Sequence, residues 1–208
     1  YVDFDGREFD EANEITAQKI EFQIDLQLGK LQRVKRPSED IKERIKELQQ
    51  SKQDIVDMRD KKGVFFYYKS PNDESNPAGV RNPNIDGLGT NRVTMYVEDN
   101  MGSKLHEGRH GGDVARGVLT SDNYSVGHEI SAYRAQYSWN GIIDYIDIDK
   151  NPTVQEVINS SIKGESPFKN SIKLIDKITS DFINKLVDPG FRPIYPPKGV
   201  ILEQWNSK

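Results

Sequence analysis

The 208-residue chain has three histidines, His106, His110 and His128, and two of them frame a glutamate in the run His-Glu-Gly-Arg-His. On an α-helix, residues four apart share a face, so the imidazoles of His106 and His110 can hold one metal ion from the same side. Zinc suits such a pair. It takes nitrogen ligands in tetrahedral sites, and a catalytic zinc keeps three protein ligands and a water whose pKa it lowers toward neutrality. Glu107, between the two histidines, is then placed to take that water's proton as general base and pass it to a leaving amine. The plain alternative is two ordinary histidines on a helix, and a third ligand separates the readings. The chain has no cysteine, which excludes disulfides, thiolate zinc clusters and a cysteine nucleophile.

Downstream, Ser125-Val-Gly-His-Glu-Ile-Ser-Ala-Tyr-Arg-Ala-Gln opens a second helix, with Ser125 as N-cap and Glu129 in the first turn. Glu129 follows His110 by 19 positions. Here the chain resembles the gluzincin branch of zinc metallopeptidases, where H-E-x-x-H on one helix is completed by a glutamate in an E-x-x-[AS] context on the next. The extension Glu129, Ala132, Tyr133 and Gln136 is also similar to zincin-like domains at the C-termini of bacterial polymorphic toxins. The match runs from about Arg92 to Trp139.

The resemblance implies that His106, His110 and Glu129 are zinc ligands and that Glu107 is the base. It implies peptide-bond hydrolysis of a protein or peptide substrate without a covalent intermediate. It further implies a secreted or exported bacterial effector, restrained by an immunity or inhibitor protein. In zincins an edge strand just before the motif helix binds the substrate by β-augmentation. Arg92 to Val97 stands in that place, which makes Thr94 and Tyr96 the substrate-binding candidates.

Other side chains around the motif carry further expectations. A metallopeptidase needs a donor for the developing oxyanion besides the metal. Tyr133, one turn after Glu129, is the first candidate, with Tyr124 and His128 behind it; packing in the core with Ile130 and Tyr137 is the competing role for Tyr133. His128 points about 100° from Glu129 on a helix, and an exposed or capping role suits it better. Asp113 and Asp122 are possible acceptors for the imidazole N–H groups of metal-bound histidines. Gly111 and Gly112 each cost a helix about 1 kcal/mol relative to Ala, so the motif helix is expected to end or kink there. Arg109 puts a cation beside the site unless it points to solvent and pairs with Asp113 at i+4.

The elements that must position these residues read as α+β, mostly helical with a small antiparallel or mixed sheet, and zincin-like by the resemblance. Residues 11–35 and 38–60 form an N-terminal helical hairpin. Ile41, Ile45, Leu48 and Ile55 draw one apolar stripe along the second helix, whereas Ile20, Phe22, Ile24, Leu26 and Leu28 in the first also alternate like a strand. Val64–Lys69 and Arg92–Val97 read as antiparallel neighbouring strands. Between them the Asn-, Pro- and Gly-rich stretch Ser70–Thr90 is long for a connection without its own structure. Further helices are expected at Met101–Leu119, Ser125–Asn140, Thr153–Ser161 and Ile172–Val187, the last lined by Ile175, Ile178, Phe182 and Leu186. A Pro-rich tail pinned by Ile201 and Trp205 follows. The organisation is a hairpin, 1–62, packed on a metallopeptidase core, 63–208, as one structural domain overall.

Composition narrows the partners. Lys and Arg number 29 against 33 Asp and Glu, for a net charge of −4, and no basic block offers a nucleic acid footprint. No apolar run reaches the ~18 residues of a membrane span. The chain opens on Tyr1 rather than Met, from which a processed or excised product is expected. No phosphate-binding glycine motif is present; Asp86–Thr90 is turn chemistry, and Asp3, Asp5 and Gly6 lack the remaining ligands of a calcium loop. Two rivals stand beside the peptidase. One is hydrolysis of another amide, such as a cell-wall peptide, by the same triad; the other is a binding or scaffold module with an incidental or structural metal site.

Overall fold

The computed structural model describes residues 9–70, 85–141 and, in part, 172–183. Helix α1 (Glu11–Gln32) starts at Asp10, whose carboxylate accepts from the Asn13 N–H at 2.9 Å. Helix α2 (Glu39–Asp60) starts at Ser38, whose hydroxyl accepts from the Ile41 N–H at 3.3 Å. Each side-chain oxygen takes one of the helix's orphan amide donors. Ion pairs of Arg59 with Glu14 and Glu21, and of Lys52 with Asp25, join the start of one helix to the end of the other. The hairpin is therefore antiparallel. Helical period wins over strict alternation in α1: Ile20, Ile24, Leu28 and Leu31 are buried, whereas Phe22 and Leu26 are 61% and 46% exposed.

Three strands follow, β1 (Phe65–Lys69), β2 (Ile85–Asp86) and β3 (Arg92–Tyr96), in the order β1-β3-β2. β1 and β3 run parallel, with Phe65 opposite Arg92 and Lys69 opposite Tyr96, which corrects the antiparallel expectation. The reason lies in β2. It pairs antiparallel with β3 through a tight turn, so the chain reverses once more before β3 and enters it in the direction of β1. Gly87 holds φ +79° in that turn, and a Cβ there would strike the Arg92 carbonyl. β3 is thus the middle strand of the sheet, not an edge.

Helix α3 (Met101–Ala115) leaves β3 almost at once, and α4 (Val126–Asn140) packs along it. A short α5 (Ile172–Ile175) lies against α4. Helix α5 ends at Ile175, so the single helix expected over Ile172–Val187 is interrupted, although Ile172, Ile175, Ile178 and Ile183 are all buried beside Tyr133 and Tyr137. The main core joins Ile24 of α1, Leu48, Ile55 and Met58 of α2, Phe66, Val93 and Met95 of the sheet and Leu105 of α3. One hydrophobic cluster therefore unites the hairpin with the sheet and the motif helix. The architecture is α+β and mostly helical with a small mixed sheet.

No helix among the described residues is long and apolar enough to cross a membrane. Most of the Ser70–Thr90 stretch, the Thr153–Ser161 helix, Phe182, Leu186, the tail with Ile201 and Trp205, and Asp3, Asp5 and Gly6 lie outside the described residues.

Candidate metal centre

Local capping sets the register of both site helices. Asn100 caps α3, its side-chain oxygen accepting from the Ser103 N–H at 2.7 Å, while the Ser103 hydroxyl accepts from the Glu98 N–H at 3.0 Å. The junction from β3 into α3 is thereby fixed, with His106 and His110 in the following turns. Ser125 caps α4 in a capping box completed by His128, whose Nδ1 accepts from the Ser125 N–H at 3.2 Å. The expected N-cap and the capping role of His128 both hold. Glu129 then falls in the first turn of α4, facing α3.

The two helices bring His106, His110 and Glu129 together, with one donor atom from each lying within 4.8 Å of the others. His106 Nε2 is 3.4 Å from Glu129 Oε2, and His110 Nε2 is 3.4 Å from Glu129 Oε1. Ligands held about 2.0 to 2.2 Å from a tetrahedral ion stand about 3.3 to 3.6 Å apart, so these separations are those of neighbouring ligands. Glu107 Oε1 is 3.9 Å from His106 Nε2, beside the cluster. His106, Glu107, His110 and Glu129 are 6%, 2%, 1% and 4% exposed.

Electrostatics favours a cation here. Burial alone would raise the Glu129 carboxyl, but hydrogen bonds and charge from His106 and His110 outweigh it and hold the group well below the usual carboxylate range. Burial alone would lower His110, yet the Glu129 hydrogen bond and charge, with Glu107 and Asp113 adding, leave it above its ordinary value. A field that draws a proton to His110 draws a divalent cation for the same reason. The donor set of two imidazoles and a carboxylate fits a metal ion, and its identity rests on ligand chemistry.

Around the donors, the His106 Nδ1 hydrogen bonds with Gln136 Oε1 at 3.2 Å, the outward contact that fixes the ring of a metal-binding histidine. Gln136 takes the role foreseen for Asp113 or Asp122. Asp113 pairs instead with Arg116 at 2.7 Å, and Asp122 accepts from the Ser121 hydroxyl. Gln136 stands seven positions after Glu129, on the same face of α4; that spacing was the available signal. His110 Nδ1 has no hydrogen-bond partner among the described residues.

Tyr133 is buried in the core, as its spacing allowed, and meets the His106 ring edge-on at 4.7 Å. Tyr124, a lesser candidate, reaches the triad itself: its hydroxyl donates to Glu129 Oε1 and lies 3.4 Å from His110 Nε2. Thr94 and Tyr96 are buried in the middle strand. Thr94 faces Asp86 of β2 and Tyr67 of β1 in register, so the free edge that β-augmentation needs is absent there.

Two expectations about α3 are corrected. Arg109 is 4% exposed and turns inward, its Nε donating to Asp54 at 2.7 Å and its Nη1 to Glu47 and to the Ser131 hydroxyl at 3.0 Å each. Gly111 and Gly112 neither end nor kink the helix, which continues to Ala115. A Cβ on Gly111 would collide with the sulfurs of Met58 and Met95, and one on Gly112 would come within 2.6 Å of the Asp54 side chain. The glycines let α2 approach α3, and that contact offsets their poor helix propensity.

No family model matches the chain, and neither the curated proteins nor the solved structures provide a match.

Proposed function

We propose that the chain is a zinc metallopeptidase of the gluzincin type that hydrolyses peptide bonds. The observation that carries the reading is the convergence of His106, His110 and Glu129 donor atoms within 4.8 Å, with Glu107 at the edge of the cluster. His106, His110 and Glu129 would hold the ion, and two imidazoles with one carboxylate suit zinc. When bound, zinc supplies Lewis acidity toward a substrate carbonyl and brings the pKa of a water down to about 7.

Glu107 accepts the proton of the attacking water and returns it to the leaving amine. Gln136 fixes the His106 ring with Nε2 toward the Glu129 carboxylate, where it would serve as a ligand. Tyr133, packed against His106, is the candidate donor to the oxyanion that develops on the carbonyl. A role as a secreted effector or toxin, with an immunity protein as partner, rests on the family resemblance alone.

Elemental mass spectrometry on the wild type, His110→Ala and Glu129→Ala tests the metal, and a peptide-cleavage screen with Glu107→Gln tests the chemistry. About one zinc per chain is expected, lost in both ligand variants. Glu107→Gln is expected to keep zinc and lose turnover. A wild type that takes up no zinc after it is added back overturns the proposal.

The near-complete burial of all four residues favours a second reading, since a catalytic zinc keeps an open position. In it the metal clamps α3 to α4 within a binding or scaffold module. Metal removal would then loosen the fold, and Glu107→Gln would leave the protein's binding function intact.

A further inference from the structure

Tyr124 precedes the α4 cap and is 6% exposed. Its ring stacks on His128, with centroids 5.8 Å apart and planes 7° from parallel, and tilts against His110 at 5.6 Å. His128 is itself tied to the helix cap through the Ser125 N–H. The phenol is thus clamped between one histidine of the candidate metal centre and one histidine outside it. Its hydroxyl donates to Glu129 Oε1, which leaves Glu129 Oε2, 3.4 Å from His106 Nε2, as the oxygen facing the His106 donor.

The terminal torsion of a glutamate is broad, so an untethered Glu129 would sample many carboxylate orientations. Carboxylates that ligate metals are in turn hydrogen-bonded for this reason, and loss of such a partner costs about 10- to 100-fold in metal affinity or activity. The hydroxyl of Tyr124 supplies that tether from the loop rather than from either helix.

We propose that Tyr124 is a positioning residue of the metal centre: its hydroxyl fixes the Glu129 carboxylate for the ion, and His128 holds the Tyr124 ring in place. The inference rests on the metal reading above and assigns His128 a role at the site although it is not a ligand.

The test is zinc affinity, by competition with a chromogenic chelator, for the full chain as wild type, Tyr124→Phe, Glu129→Gln and the double variant. Circular dichroism of the metal-free proteins monitors the fold. Tyr124→Phe is expected to weaken zinc about 10- to 100-fold in the wild-type background and by less than about twofold once Glu129 is already changed, because the two act as one unit. The absorption bands of the cobalt(II)-loaded protein are expected to shift in Tyr124→Phe, reporting altered coordination. His128→Ala is expected to weaken zinc in the wild type and not in Tyr124→Phe, and it serves as the second probe where the Phe variant folds poorly.

Unchanged affinity in Tyr124→Phe overturns the proposal while leaving the metal centre standing. An equal loss in both Glu129 backgrounds also overturns it, since the hydroxyl would then act other than through Glu129. A wild type that binds neither zinc nor cobalt(II) removes the metal reading and this inference with it.

Discussion

Helix α3 carries two polar clusters on two of its faces, and they are closed by different means. On one face Arg109 meets Asp54 and Glu47, and Arg116 meets Asp54 and Asp113. Permanent positive charge answers negative charge, and the cluster fastens α3 to α2. On the other face Glu129 is met by two imidazoles and a phenol, groups without permanent charge. A buried carboxylate needs a partner of opposite sign or it shifts its pKa and neutralises. The first cluster contains its cations; the second is built so that a proton or a metal ion completes it. That difference separates a structural network from a candidate site, and burial adds to it: Arg116 is exposed, whereas His106, Glu107, His110 and Glu129 are all buried.

The largest effect that sharpens this contrast is expected from Glu107→Gln. It should lower peptide-cleavage turnover by about 10²- to 10⁴-fold, the usual contribution of a general base, while zinc content and unfolding midpoint stay at wild-type values. Equal turnover would leave the structural-metal reading in possession of the site.

On the other face Arg109→Ala should take one cation from Asp54 and Glu47, which keep Arg116 and Arg134 as partners. Urea unfolding is expected to reveal a loss of about 1.5 to 3 kcal/mol, the worth of hydrogen bonds to charged groups, with zinc stoichiometry of the folded protein unchanged. Metal loss from this variant would merge the two clusters into one functional unit.

Zinc addition should stabilise the metal-free chain by about 2.7 kcal/mol at a hundredfold excess over Kd. A thermal shift upward in the wild type, missing in His110→Ala and kept in Arg109→Ala, would confine the ion to one face of α3.

The smallest change is Gly112→Ala. Helix propensity alone predicts a gain of about 1 kcal/mol, whereas the approach of the Asp54 side chain predicts a loss of about 1 to 3 kcal/mol from overpacking. Denaturant unfolding distinguishes the two by sign, and a loss is expected.

Much of this arrangement is legible in one dimension because it is local. The i, i+4 spacing of His106 and His110 depends only on helical pitch, and Ser125 announces the start of α4 because an N-cap serves amides two or three residues on. The hairpin follows from the apolar stripe Ile41, Ile45, Leu48 and Ile55, and in α1 from Ile24, Leu28 and Leu31. The misreadings are non-local. The strand pair β1 and β3 is parallel because β2 intervenes in the chain and reverses its direction once more, and nothing in VFFYYK or RVTMYV records that. Arg109 reads as a cation beside the site or a surface partner of Asp113 until α2 brings Asp54 and Glu47 to it.

Residue types and spacings alone thus determined the His106 and His110 candidate donors, the helices that carry the site and the absence of thiol chemistry, since each depends on side-chain identity or on a period of a few residues; Glu129 came from the family resemblance. Tertiary structure decided which carboxylates receive arginines and which meet only imidazoles. It also decided that Gly111 and Gly112 mark a close helix contact, and that Tyr124, from the loop, reaches Glu129. The arginine and glycine contacts join helices more than fifty residues apart in the chain, and packing is set by the fit of whole surfaces.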